Sequence, residues 1–113
     1  MSDYIDFLKE VFATFGQVNS RRMFGGHGLY YDGLMFALVA DDTLYLKADA
    51  ENQHIFEDEG LERFSYEKQG KSYSIAYFQA PDQLFDDQDE AAIWARRSWD
   101  AAVRGAAKKR RSH

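Results

Sequence analysis

Between residues 18 and 49 the chain sets three strand-like runs and a glycine-rich turn into one unbroken segment, and this segment dictates the fold. Its strongest punctuation is Asp32-Gly33, which separates residues 29–31 from residues 34–40. Both central positions of a two-residue type I′ turn need positive φ, and Asp-Gly between apolar runs is the pairing that supplies it. Asp41-Asp42 marks the next turn, and residues 43–47 follow with Leu44 and Leu46 alternating against Thr43, Tyr45 and Lys47. The pattern predicts an antiparallel meander. Residues 18–24 form its first strand, and Gly25, Gly26 and Gly28 are expected to turn the chain around His27. The run Leu34-Met35-Phe36-Ala37-Leu38-Val39-Ala40 does not alternate, as for a strand covered on both faces. It predicts a helix on each side of the sheet or a second subunit on one side.

The flanking segments supply the helices. Tyr4, Ile5, Leu8, Val11, Phe12 and Phe15 recur at helical spacing, with Ser2 placed to cap the helix and Gly16 to close it in the left-handed conformation. Residues 50–59 read as a short surface helix between strand sets, ended by Gly60. Residues 64–68 and 73–78 alternate around Gln69-Gly70-Lys71, a second hairpin, and Pro81 stops the last strand. Asp86 or Asp87 caps a final helix that extends to about Ala107. On that helix Trp94, Ala95, Ser98, Trp99, Ala101, Ala102, Val103, Gly105 and Ala106 spread over an arc of roughly 200°, wider than one core stripe requires, with Ile93 out of place opposite. The fold class is therefore α+β: an N-terminal helix, a mainly antiparallel sheet of five to six strands and a long C-terminal helix. One domain over residues 1–107 is followed by a basic, frayed tail at 108–113.

Composition removes several kinds of chemistry. With no cysteine there is no disulfide framework, thiolate metal site or cysteine nucleophile. Only His27, His54 and His113 are present, without an i, i+4 pair, so neither a metal nor another cofactor is expected. No Gly-x-Ser-x-Gly elbow supports a hydrolase. The acidic N-terminal segment and the lack of an apolar run of about 18 to 20 residues predict a cytoplasmic protein without a membrane partner.

The candidate contact residues are Arg21, Arg22, Met23, Phe24, Gly25, Gly26 and His27. Forked guanidiniums beside bare backbone N–H groups suit a phosphate or carboxylate, so a small-anion site at the glycine turn is one reading. The competing reading is structural: the glycines permit a tight strand connection. A second basic feature, Lys108, Lys109, Arg110 and Arg111, offers an arm for direct nucleic-acid binding, although the net charge of -5 gives no global footprint for it. Tyr30, Tyr31, Tyr45, Tyr66, Tyr73 and Tyr77 are explained more simply by the strand preference of aromatics than by a base-stacking platform. Only Lys47, Lys68 and Lys71 interleave with them, and an acidic protein repels a phosphate backbone.

The segment Arg-Arg-Met-Phe-Gly-Gly-x-Gly-Leu-Tyr at residues 21–30 continues into Gly33-Leu34-Met35-Phe36-Ala37 and Leu44-Tyr45-Leu46-Lys47. With Phe64-x-Tyr66, Tyr77-x-x-x-Pro81 and Trp94 with its spaced alanines, it resembles the N-terminal domain of the TfoX/Sxy family, bacterial regulators of natural competence. The resemblance implies an α+β sandwich similar to secretion chaperones, whose members often dimerise. It further implies a non-enzymatic role in transcription regulation through a protein partner, with the longer members acting beside a cyclic-AMP receptor protein. A protein-interaction module working as a homodimer is the expectation that follows, with the apolar 34–40 run and the wide arc of the last helix as its self-contacts.

Overall fold

The computed structural model describes residues 3–23 and 25–111. Helix α1 (Asp3–Val11) buries Ile5, Leu8 and Val11, and its acids Asp3 and Asp6 sit in the first turn where the helix dipole favours them. Ser2, the expected cap, lies outside the described residues. Gly16 follows the helix at a φ of 158°, outside the compact left-handed region expected for it but still a value L side chains rarely adopt. Space also demands glycine here, because a Cβ would come within 2.5 Å of Tyr31 Cε1.

Six strands follow: β1 (Asn19–Met23), β2 (Gly26–Tyr31), β3 (Leu34–Ala40), β4 (Thr43–Lys47), β5 (Arg63–Lys68) and β6 (Lys71–Gln79). They form one antiparallel sheet in the order β1-β2-β3-β4-β6-β5. Helix α2 (Gln53–Asp58) crosses from β4 to β5 and ends before Gly60, as the sequence predicts. The three tight hairpin turns follow the expected chemistry, with positive φ at Asp32 and Gly33, at Asp41 and Asp42, and at Gln69 and Gly70. Lys71 belongs to β6 rather than to its turn. The α+β architecture read from the sequence is the architecture found.

Register decides which side chains enter the core. Ala37 pairs with Leu46 and Val39 with Leu44, and all four are buried; Leu46 in turn pairs with buried Phe78. The intervening pairs Leu38 with Tyr45 and Lys47 with Tyr77 therefore face the other side. The unbroken apolar run of β3 has a local cause. Its pairing to β2 jumps from Ala37–Leu29 to Met35–Tyr30, which leaves Phe36 without a β2 partner. That bulge turns the Phe36 ring into the core, 5.5 Å from Phe12 and 5.4 Å from Phe15, beside the equally buried Ala37. The expectation of a helix on each face is thus corrected: α1, α2 and α3 (Gln88–Arg111) contribute to one core with Leu29, Phe36, Leu46 and Phe78, while Met35 and Leu38 on the second face stay half-buried.

A short 3-10 turn (Asp82–Asp86) that the sequence reading did not anticipate leads from Pro81 into α3. Asp87 then caps α3, accepting hydrogen bonds from the N–H groups of Asp89 and Glu90. Trp94, Ala95, Ser98, Ala101 and Ala102 are buried, whereas Val103 and Gly105 are exposed, so the buried stripe is narrower than the apolar arc. The basic run is also corrected. Its helix does not stop at about Ala107: α3 continues through Arg111.

Two polar clasps hold α3 to the top of the sheet. Buried Asn52 accepts from the Asp49 N–H and donates to the carbonyls of Lys47 and Arg97. Asp49 accepts from Arg104 through both oxygens, at 2.7 and 2.9 Å, and caps the following turn by accepting from the Glu51 and Asn52 N–H groups. Those donors, the Arg104 guanidinium first, hold the Asp49 carboxyl below its ordinary range.

Two outcomes follow. Because the folded carboxyl has the lower pKa, its contribution is full above the unfolded value and is lost as pH falls through the folded one. Asp49→Asn should lower Tm by about 3 to 6 °C near neutrality, with the gap closing as pH falls below the ordinary carboxylate range in thermal melts at stepped pH. The glycines of the β1–β2 hairpin should rank by what a methyl group meets. Gly26→Ala drives it into the Val39 carbonyl oxygen and should cost about 3 kcal/mol or more in a chemical denaturation series. Gly25→Ala, with open space but a φ of 79°, should cost about 1 kcal/mol. Gly28→Ala, which meets the movable Sδ atoms of Met23 and Met35, should cost no more than that.

Candidate functional site

The contact residues expected from the sequence lie on the β1–β2 hairpin at one edge of the sheet, but they do not form a single turn. Arg22 pairs with His27 and Arg21 with Gly28, so Gly26, His27 and Gly28 are ladder residues of β2, and of the three glycines only Gly25 lies in the turn. This corrects the expected glycine cradle, since backbone N–H groups engaged in a ladder do not converge on an anion. Close packing accounts for two of the glycines: Gly26 passes the Val39 carbonyl, and Gly28 lies beneath Met23, Met35 and Tyr30.

Strand alternation also separates the two arginines. Arg22 and His27 share the face of Val39, the helix side. Arg21 and Met23 take the opposite face, where the Arg21 guanidinium lies 5.1 Å from the centre of the Tyr30 ring. Arg21, Arg22 and Gly25 are exposed, while Met23, Gly26 and His27 are half-buried. Phe24 lies outside the described residues, as does His113. Among the described residues β1 pairs only with β2, which leaves its outer side an open edge.

Beside Arg21 the uncovered face of the sheet holds a cluster that sequence reasoning left unassembled. Lys47 on β4 places its ammonium 5.2 Å from the centre of the Tyr77 ring on β6. Burial lowers the Lys47 pKa, with Asp49 opposing the shift, and burial together with nearby Tyr30 pushes the Tyr77 phenol up to about 12. Further along, Tyr45 meets Phe64 at 4.8 Å, Phe64 meets Tyr66 at 6.1 Å and Tyr66 meets Tyr73 at 5.5 Å. Tyr31 does not join them; it faces the helices, against Phe15 and Trp99.

Among the described residues no cluster of His, Cys, Asp or Glu could hold a metal ion. Nor is any helix among them long and apolar enough to cross a membrane. Two surface depressions, one beside Lys9, Ala13 and Asn19 and one beside Tyr4, Asp42 and Phe85, touch none of residues 21–27.

Comparison with known proteins places this architecture. Residues 10–102 match the TfoX N-terminal domain, which takes in the whole sheet and most of α3. The chain is 35% identical over 90 residues to the DNA transformation protein TfoX1 of Aliivibrio fischeri, covering 80% of this chain and 41% of that protein. It is 29% identical over 96 residues to protein Sxy of Escherichia coli, covering 85% of this chain and 46% of that one. It thus spans under half the length of either relative. The match includes the edge hairpin, the bulged strand and the Trp94 helix described above, and the chain belongs to the TfoX N-terminal domain family.

Proposed function

We propose that the chain is a non-enzymatic, cytoplasmic regulatory module that acts on competence for DNA uptake by holding a protein partner, which carries the effect to transcription. The family supports the competence setting, through relatives of which one is named for DNA transformation. The observation that carries the contact mode is the open edge of β1. A partner strand added there gains ladder hydrogen bonds from the backbone and meets Arg21 and Met23 on one face and Arg22 on the other, the geometry of β-strand addition. Arginines spaced along an edge, rather than gathered about a cavity, suit recognition better than catalysis. A second copy of the chain is the other occupant such an edge admits, as a homodimer.

Replacement of the chromosomal gene by an Arg21→Ala/Arg22→Ala version tests this. Both side chains are exposed, so the variant should keep the circular dichroism spectrum and Tm of the wild type. Transformation frequency should fall about tenfold or more, corresponding to at least about 1.4 kcal/mol of lost contact energy. Light scattering of the purified chain distinguishes a homodimer from a partner of another kind. Unchanged transformation frequency in the folded variant would contradict the reading.

A further inference from the structure

The sheet sorts charge between its faces more sharply than the composition suggests. A chain of net charge -5 places a single acid, Glu67, in its six strands, and Glu67 pairs with Ser72 on the helix side. The uncovered face receives Arg21, Lys47, Lys68 and Lys71. The same face carries Tyr30, Tyr45, Phe64, Tyr66, Tyr73 and Tyr77. Glu62 and Asp41, which with burial raise the Tyr45 pKa, sit at one end of the face, and Asp49, which acts on Lys47, is engaged by the Arg104 guanidinium. A path that avoids this end runs from Lys68 and Lys71 at the β5–β6 turn, over the stacked and exposed rings of Tyr66 and Tyr73, past Tyr77 beneath Lys47, to Tyr30 beneath Arg21.

We propose that this uncovered face binds single-stranded nucleic acid along that path, with Arg21, Lys47, Lys68 and Lys71 meeting phosphates and Tyr66 and Tyr73 stacking on bases. A polyanion with flat apolar rings is the partner that alternating cations and aromatics fit, and only unpaired bases offer their π-faces. Six strands at about 4.8 Å spacing give a face some 24 Å across, the scale on which single-strand binders track about four or more nucleotides. The objection that an acidic protein repels phosphate does not hold locally, since over about 10 Å at physiological salt the fixed charges nearest the ligand dominate. The path reaches the β1 edge only at Arg21, which the two surfaces share, and lies apart from the basic end of α3.

Fluorescence anisotropy with labelled 20-mers of oligo-dT and oligo-rU tests the proposal, with a duplex of the same length as comparison. Binding should be measurable at about 20 mM salt and weaken with a log–log slope between about -1.5 and -3, as expected for up to four phosphates on a single strand. Tyr66→Ala/Tyr73→Ala should weaken it about tenfold or more, and Lys68→Ala/Lys71→Ala should also reduce the salt slope by about one. All four positions are exposed, so folding is checked directly by Tm. Neutralising residues 108–111 should leave affinity within about twofold, within ordinary surface-mutation scatter. Relative strength for oligo-dT and oligo-rU then separates DNA from RNA as the ligand. No binding at about 20 mM salt, loss on altering residues 108–111 alone, equal binding of duplex, or binding of poly-glutamate in place of both oligonucleotides would each overturn the assignment.

Discussion

The pairing of β3 with β4 is the constraint on which the rest of the molecule depends. Ala37 opposite Leu46 and Val39 opposite Leu44 send four apolar side chains into one core, where Phe12 just past α1, Phe56 of α2 and Trp94 of α3 join them. Side chains alternate strictly across a strand, so a slip of one residue would exchange Leu44 and Leu46 for Tyr45 and Lys47. The helices would then lie on charged and phenolic groups. The same register that builds the core thereby decides that Tyr45, Lys47 and Tyr77 face outward. Core and recognition surface are two sides of one choice.

The asymmetry of the sheet follows from this. α3 is tied down by Trp99, which donates to the Tyr31 carbonyl, and by the Asn52 and Asp49 clasps, so the helical layer is fixed to one side. The other side keeps rings at partial exposure apart from buried Tyr77, and four cations limit how readily it associates with a second such face. Two of these cations are held by cation–π contact, Arg21 over Tyr30 and Lys47 over Tyr77.

Much of the fold was legible in the residues because the signals were local. Asp32-Gly33, Asp41-Asp42 and Gln69-Gly70 act through backbone conformation at the turn itself, and the α1 stripe through a single helical period. What escaped needed knowledge of partners distant in sequence. Gly26-His27-Gly28 reads as a flexible turn until Val39 and Met35 are known to pass close beside it. The apolar run of β3 reads as doubly covered until the Phe36 bulge is seen. Buried Asn52 shows locally only its exchange with Asp49, because the carbonyls that accept from its amide lie on β4 and α3. The phenolic platform was discounted on net charge, and only the pairing of β5 with β6 shows that the one strand acid lies on the opposite face from Lys68 and Lys71.

The account stands on the two faces having different roles, and amide chemical-shift mapping of the labelled chain titrated with a short oligo-dT reads both at once. The account requires perturbations that trace Lys68, Lys71, Tyr66, Tyr73, Lys47 and Arg21 while the residues of α1 and α2 remain still. Shifts confined to the last turn of α3, or distributed equally over the two faces, would contradict it.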